Sequence, residues 1–378
     1  MDMNKQGPEF YDYVVALVKE KKLSIDRVNE ACSKILYAKF QLGLFEDRFV
    51  DTSKITENVF IKSHLDKVEE IADNAITLLK NSDLLPISNA NAKRILVTGP
   101  NAHNNTTLGD WHFEQPAENV VTIFEGIQEI GEEYNHKVDY FDSGIKIRNI
   151  QDSKISATSE MSANYDHVFV VVGDNSLRYT WEGGKSFQKT AGENKARSFL
   201  GLPGKQLDLV KAIYEKNKNL TVVYVSGKPI SEPWIEDNIK SIIHAWEPGT
   251  MGGRSLGKIV FGMINPSGKM PITTARSVGQ LVMVYNHKPT NYIHKYAFEK
   301  TMPLYPFGYG LSYTTFSISA PKPSKYTWNG KGSLEVAATV TNTGNMAGAE
   351  TVQLYIRDKF STVTRPVLEL KAYDNINL

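Results

Sequence analysis

Residues 168–175 read VFVVVGDN, an apolar run that ends in a glycine and two polar residues. Such a run is typical of a strand buried on both faces of a parallel sheet. The segment that follows, up to Pro203, is too long and too polar for an ordinary strand-to-helix connection. Ligands of open parallel sheets bind beyond the carboxyl ends of the strands. We therefore expect chemistry in this loop, where Glu193 lies between a glycine and an asparagine. The alternative is that Glu193 is an ordinary solvated carboxylate.

Segments on both sides of this stretch alternate between strand-like and helix-like patterns. Strands are predicted at 94–102, 138–141, 168–172, 220–226 and 239–245. Helices are predicted at 120–132, 204–217 and 254–262. This alternation predicts an α/β fold, with a mostly parallel sheet and helices on both of its faces.

The upstream part of the chain is predicted to be helical. Helical spacing of apolar residues covers 8–22, 24–43 and 66–80, and Ser24 is a favourable N-cap for the second of these helices. Cys32 falls on the apolar face of that helix, where we expect a small core residue. The first two helices have wide apolar faces and nothing before them, which indicates that their packing partner lies upstream of this sequence.

The downstream part changes character twice. Residues 264–320 are rich in turn-forming glycine and proline, and predict an irregular connector. After Pro321, apolar and polar residues alternate as in antiparallel sandwiches. A sandwich takes about 100 residues, whereas only residues 321–378 remain. The pattern therefore predicts a sandwich that is broken off.

The overall composition excludes several classes of protein. The 378 residues are 41% hydrophobic with a net charge of +1, so no basic excess is present to attract nucleic acid or a membrane surface. No apolar run reaches the roughly 18 residues of a membrane span. One cysteine excludes an internal disulfide framework, and the eight histidines lack metal-ligand spacing. We predict neither a metal nor a cofactor.

Two further motifs are candidates for a binding site. Residues 252–258, GGRSLGK, have the spacing of a phosphate-binding loop, but Ile259 follows where a magnesium-binding hydroxyl is needed, so nucleotide binding is disfavoured. Asp110 and Trp111 follow Gly109 in an Asn-rich loop after the predicted strand at 94–102. Trp111 is either a stacking platform for a ligand or a core residue that anchors its loop.

The chain resembles the C-terminal part of a glycoside hydrolase family 3 β-glucosidase. The similar segments are AITLLKN at 75–81, TGPNA at 98–102, GENKAR at 192–197 followed by LP at 202–203, WEPGTMGG at 246–253, FGMINPSGKMP at 261–271 and YPFGYGLSYTTF at 305–316. The last two are specific, and together the segments cover nearly the whole chain.

The resemblance implies a domain order. Residues 1–45 correspond to the terminal helices of a (β/α)8-like barrel, 46–65 to a linker and 66–275 to an (α/β)6 sandwich domain. Residues 276–320 form the connector, and 321–378 a truncated fibronectin-III-like domain. The rest of the barrel would be an intramolecular partner.

The resemblance also implies the roles of individual residues. The general acid/base of the family matches Glu193, and Trp111 with Asp110 matches substrate-binding positions. The nucleophilic aspartate of the family lies in the barrel and is absent from this sequence. Glycoside cleavage needs two carboxylates, one of them protonated, but this chemistry does not by itself separate Glu193 from Glu182 in the WEGG segment.

We therefore expect the C-terminal part of a retaining, exo-acting β-glucosidase that acts on terminal β-D-glucosyl residues of glucosides or oligosaccharides, and that is inactive without its barrel. The alternative is a stand-alone, non-catalytic carbohydrate-binding or scaffold module. The choice between glucoside and xyloside stays open. The resemblance suggests a periplasmic or secreted protein, because many members of the family are exported.

Overall fold

A computed structural model of the chain describes residues 9–90, 93–177, 189–289 and 295–378. The chain divides into two compact units, the first ending at Ile61 and the second running from Lys62 to Leu378.

The first unit contains α1 (Glu9–Lys19), α2 (Ile25–Gln41) and the short α3 (Ile55–Asn58). Ser24 is the N-cap of α2, as predicted, since its Oγ accepts a 3.1 Å hydrogen bond from the amide of Asp26. Among the described residues, neither α1 nor α2 contains a buried side chain. Cys32 is exposed, so the prediction that it is a core residue is wrong. Its helical face is apolar, but that face is not covered.

The second unit is built on a six-stranded sheet with the order β1-β6-β5-β4-β2-β3. The strands are β1 (Thr77–Asn81), β2 (Arg94–Thr98), β3 (Lys137–Phe141), β4 (His167–Gly173), β5 (Leu220–Val225) and β6 (Ser241–Trp246). Only β1 pairs in the antiparallel sense, with β6, and every other pair is parallel. The predicted mixed α/β fold with a mostly parallel sheet is confirmed at this level.

Helices cover both faces of the sheet. They are α4 (Lys62–Ala75), α5 (Ile123–Glu133), α6 (Asp152–Ser162), α7 (Gln206–Lys216), α8 (Pro233–Asn238) and α9 (Gly252–Val260). Phe169 and Val171 of β4 pack in one core with α5 and α9. Val168, Val170 and Val172 point to the other face and pack with α6, α7 and α8. Every residue of β4 is buried, as expected for a strand with a core on each side.

The helix predicted over 66–80 is wrong after Ala75, because Thr77 begins the edge strand β1. Ile76, Leu78 and Leu79 are all buried, so this apolar run fits a strand between two cores as well as a helix. Pairing of Thr77 with His244 of β6 decides in favour of the strand. Neither α6, which is rich in serine and threonine, nor the six-residue α8 is predicted by apolar periodicity.

The glycines of the GGRSLGK segment pack helices. A side chain on Gly253 would overlap the carbonyl oxygen of Thr122, and one on Gly126 of α5 would overlap Gly253 itself. Lys258 Nζ lies 2.5 Å from Asp73 and 2.8 Å from Glu69 on α4. This lysine therefore pairs with two carboxylates of a neighbouring helix, an arrangement that does not support a phosphate site.

Residues from Phe316 onward form three separate two-stranded antiparallel ladders. They join β7 (Phe316–Ile318) to β10 (Val340–Asn342), β8 (Lys322–Pro323) to β9 (Val336–Ala337), and β11 (Ala349–Ile356) to β12 (Glu369–Asn377). Antiparallel pairing agrees with the alternating pattern, while a fibronectin-III-like sandwich remains a prediction. Short 3-10 turns lie at Thr52–Lys54, Asn105–Leu108, Ala117–Asn119, Ile147–Asn149 and Val278–Gln280. In the described parts of the chain, no helix has the length and apolarity needed to span a membrane.

Candidate active site at the carboxyl edge of the sheet

Polar side chains gather where the parallel strands end. Asp110 and Trp111 lie in the loop after β2, Asp174 directly follows β4, Lys228 follows β5 and Glu247 follows β6. Because parallel strands end at a common edge, these residues from distant parts of the sequence share one region.

Each carboxylate oxygen of Asp174 accepts two hydrogen bonds. Its side chain is fully buried. Oδ1 accepts hydrogen bonds of 2.9 Å from both Thr190 Oγ1 and Arg197 Nη1. Oδ2 accepts one of 2.9 Å from Ser226 Oγ and one of 2.5 Å from Lys228 Nζ. A buried carboxylate is tolerated when it is paired and hydrogen-bonded in this way.

The two cations of this cluster differ in exposure: the Arg197 side chain is nearly buried, whereas that of Lys228 is 40% exposed. Burial lowers the pKa of Arg197, and the Asp174 carboxylate opposes that shift. Burial likewise lowers the pKa of Lys228, again against the attraction of Asp174. The Arg197 guanidinium also lies over the Phe199 ring, 4.8 Å from its centroid. Loss of the Asp174 charge would leave two neighbouring cations, one of them nearly buried, without their shared carboxylate.

Asp110 fastens the loop that carries Glu193. Its Oδ2 accepts hydrogen bonds from the amide of Glu193 at 2.7 Å and from Lys189 Nζ at 3.1 Å. Its Oδ1 accepts one of 2.9 Å from the amide of Trp111. Gly192 has a φ of 89°, and a side chain there would overlap Oδ2 of Asp110. Glycine is therefore needed at this position for both its backbone angle and its lack of Cβ.

The structure brings together three of the sequence-predicted site residues. Asp110 contacts the amides of Glu193 and Trp111, whose side chains are both exposed. Trp111 is 73% exposed, so the alternative that it is a core residue is wrong. Glu182 lies outside the described residues.

Sequence reasoning missed Asp174 and Glu247 as candidate site residues. Glu247 Oε1 accepts a 2.7 Å hydrogen bond from Ser176 Oγ. Burial raises the pKa of Glu247, and the like charges of Asp174 and Asp110 add to the effect against that hydrogen bond. Each residue directly follows a buried strand, so the rule that sites lie beyond strand ends would have flagged both.

Within the described ranges, no group of three or more histidine, cysteine, aspartate or glutamate residues is arranged to hold a metal ion. The described side chains of this edge are carboxylates, ammonium and guanidinium groups, hydroxyls and an exposed indole.

The chain is similar in sequence to β-glucosidases and β-xylosidases, and in structure to β-glucosidases. The sequence profile of the glycosyl hydrolase family 3 C-terminal domain matches residues 76–313. A β-xylosidase of Formosa agariphila is 34% identical over 93% of this chain and 48% of its own length. A periplasmic β-glucosidase of Salmonella typhimurium is 31% identical over 100% of this chain and 52% of its own length. The crystal structure of the β-glucosidase from Listeria innocua in complex with glucose has a TM-score of 0.82 and 28% identity, over 97% of this chain and 49% of that one. The chain spans about half the length of the curated relatives it matches.

Proposed function

This chain belongs to glycoside hydrolase family 3, and on that premise we propose that it supplies the general acid/base, Glu193, of a retaining exo-acting β-glucosidase. The reaction would be hydrolysis of terminal β-D-glucosyl residues. The observation that carries the proposal is the attachment of the Glu193 amide to Asp110, beside the exposed Trp111. It ties the backbones of Glu193 and Trp111 to one carboxylate at the strand-end edge, where a sugar would need both an acid and an aromatic surface.

Retaining glycosidases use two carboxyl groups about 5–5.5 Å apart. In the first step the protonated Glu193 would donate its proton to the departing glycosidic oxygen, while a nucleophilic aspartate attacks the sugar. In the second step Glu193 would remove a proton from the attacking water. The aspartate would come from the part of the family's barrel domain that these residues do not include. Glu193 is exposed in this chain, and a barrel domain and a bound sugar would cover it.

Trp111 and Asp110 are the proposed substrate contacts. An exposed indole offers an apolar face on which a sugar ring stacks. Asp110 already accepts three hydrogen bonds from protein groups. Its second task is therefore to hold the loop after β4 next to the loop after β2.

The domain boundaries stay proposals: barrel helices to residue 45, linker 46–65, sheet domain 66–275, connector 276–320 and fibronectin-III-like residues 321–378. A periplasmic or secreted location is proposed because one relative carries the name periplasmic β-glucosidase.

The test compares two proteins. One is the chain alone, and the other, here called the barrel-joined enzyme, places it behind the part of the Salmonella typhimurium relative that it does not match. We expect the chain alone to release no nitrophenol from an aryl β-glucoside above a Glu193→Ala control, because one carboxylate of the pair is absent. The barrel-joined enzyme should turn over. Glu193-dependent turnover by the chain alone would contradict the proposal. Sugar binding without turnover in the barrel-joined enzyme would favour a carbohydrate-binding module.

A further inference from the structure

The buried carboxylate of Asp174 joins both flanks of the Glu193 loop, defined here as residues 189–200. Thr190 precedes Glu193 in this loop and Arg197 follows it, and both donate 2.9 Å hydrogen bonds to the same oxygen, Oδ1. Since the two ends of a segment are held at one atom, the residues between them are confined to a small set of conformations.

The first flank is also tied to the exit of β4. The hydroxyl of Thr190 accepts a 2.9 Å hydrogen bond from the amide of Asn175. Its own amide donates one of 2.7 Å to the Asn175 carbonyl. Thr190 is 5% exposed, so its hydroxyl has been withdrawn from water to make these contacts. This end of the loop is therefore continuous with the rigid sheet.

The second flank is held by a charge. The Arg197 side chain is 9% exposed and its only described carboxylate partner within hydrogen-bond distance is Asp174. The other oxygen, Oδ2, is held from β5 by Ser226 and Lys228. The carboxylate thus links the β5 exit to the loop through charge-assisted hydrogen bonds, which are about twice as strong as neutral ones.

We infer that Asp174 is a positioning residue for the general acid/base: it fixes both flanks of the Glu193 loop, and Asp110 then holds the amide of Glu193. This inference rests on the proposed role of Glu193. In an Asp174→Asn variant, Arg197 and Lys228 would repel each other. The amide has one acceptor oxygen where the carboxylate has two, so it could not accept hydrogen bonds from all four donors of Asp174. The loop would open, and the carboxyl group of Glu193 would lose its place against the substrate.

The first test measures hydrogen–deuterium exchange in the chain alone. Asp174→Asn should speed exchange of the amides at 191–197 at least tenfold, while the amides inside β2 and β5 keep their protection. Thr190→Val removes the hydroxyl with little change of shape and should also speed exchange. Thr190→Ser keeps the hydroxyl and should keep the protection of the unaltered chain. The matched control is Asp73→Asn, which removes an Asp–Lys contact of the same 2.5 Å length on α4. Unchanged exchange of the 191–197 amides in both Asp174→Asn and Thr190→Val would overturn the inference. An equal acceleration of these amides in the Asp73→Asn control would also overturn it.

The second test uses the barrel-joined enzyme and separates this inference from the proposed function. Asp174→Asn and Thr190→Val should slow hydrolysis of cellobiose at least tenfold more than glycosyl transfer from dinitrophenyl glucoside, because only the first leaving group needs a proton. A purely structural defect would slow both equally and would overturn the inference. If Glu193→Ala itself shows no dependence on the leaving group, the proposed function fails, and the exchange experiment still decides whether Asp174 anchors the loop.

Discussion

Oδ2 of Asp110 accepts a 2.7 Å hydrogen bond from the backbone amide of Glu193, 83 residues further along the chain. The same oxygen contacts Lys189 Nζ, whose side chain is 6% exposed. One carboxylate therefore neutralises a nearly buried ammonium and fixes the residue proposed to be the acid/base. Since both tasks fall on a single group, its removal should affect stability and loop order together.

The first prediction concerns Asp110→Ala. The change leaves Lys189 nearly buried without the counter-charge that it has here, and releases the Glu193 amide. We expect the free energy of unfolding to fall by about 3–5 kcal/mol, as for other buried pairs that lose one member. Urea unfolding of the chain alone measures it.

The matched control for this loss is Asp142→Ala. Asp142 pairs with Lys154 at 2.9 Å, but both side chains are about half exposed. An exposed pair contributes about 0–1 kcal/mol. Equal losses in the two variants would show that Asp110 has no special task.

The second prediction concerns the glycine before Glu193. Gly192→Ala introduces a Cβ that overlaps Oδ2 of Asp110, at a φ of 89°. We expect faster amide exchange at Glu193 and a stability loss greater than the approximately 1 kcal/mol of backbone strain alone. Gly144→Ala is the control, because Gly144 has a similar φ of 96° and nothing within 4 Å of the new Cβ. If Gly144→Ala costs as much, backbone strain explains the effect without Asp110.

The fold was largely predictable where both faces of an element are buried. The β4 run is apolar at every position because a core lies on each side, and that pattern survives in the sequence alone. The same property made β1 ambiguous, because a short run of buried residues has no period with which to separate strand from helix. Pairing with β6 decides the matter, and this partner is far away in sequence.

The candidate site was predictable only in part, for a related reason. Glu193 and Trp111 belong to recognisable local segments. The cluster around Asp174 does not, because its donors come from residues 190, 197, 226 and 228. No local spacing relates these positions, and only the parallel order of β4 and β5 brings them to one carboxylate.

The third prediction concerns acid stability. Burial lowers the pKa of His167 from 6.5 to about 3. Between about pH 6.5 and pH 3, His167 therefore binds a proton in the unfolded chain but not in the folded chain. The stability that is present at neutral pH is lost as the pH falls through this range. One such histidine contributes up to about 1.4 kcal/mol per pH unit in that window. His167→Gln should flatten this slope in urea unfolding measured between pH 7 and pH 5.

The control for this slope is Thr221→Val. It removes the hydroxyl that lies 3.0 Å from His167 Nε2 but keeps the titrating ring. It should lower stability at all pH values while the slope persists. An unchanged slope in His167→Gln would show that other groups, such as His244, whose pKa burial lowers to about 4, dominate the acid sensitivity.

The last prediction concerns Glu193 in the barrel-joined enzyme and follows from leaving-group chemistry. An acid catalyst matters most when the departing oxygen is basic, as in cellobiose, and little for dinitrophenolate, which departs without a proton. Glu193→Ala should slow cellobiose hydrolysis by about 10²–10⁴-fold, while dinitrophenyl glucoside still forms the glycosyl-enzyme. Removal of that intermediate would then limit turnover, because the same carboxylate must deprotonate the water.

Azide provides the decisive measurement, since it is a nucleophile that needs no general base. Added azide should restore turnover of dinitrophenyl glucoside by Glu193→Ala and yield β-glucosyl azide, because a retaining mechanism delivers it to the face that the first leaving group occupied. Equal slowing of both substrates with no azide product would remove Glu193 from this role. Glu182→Ala would then be the variant to examine by the same two measurements, because Glu182 is the rival carboxyl group in the sequence between β4 and α7.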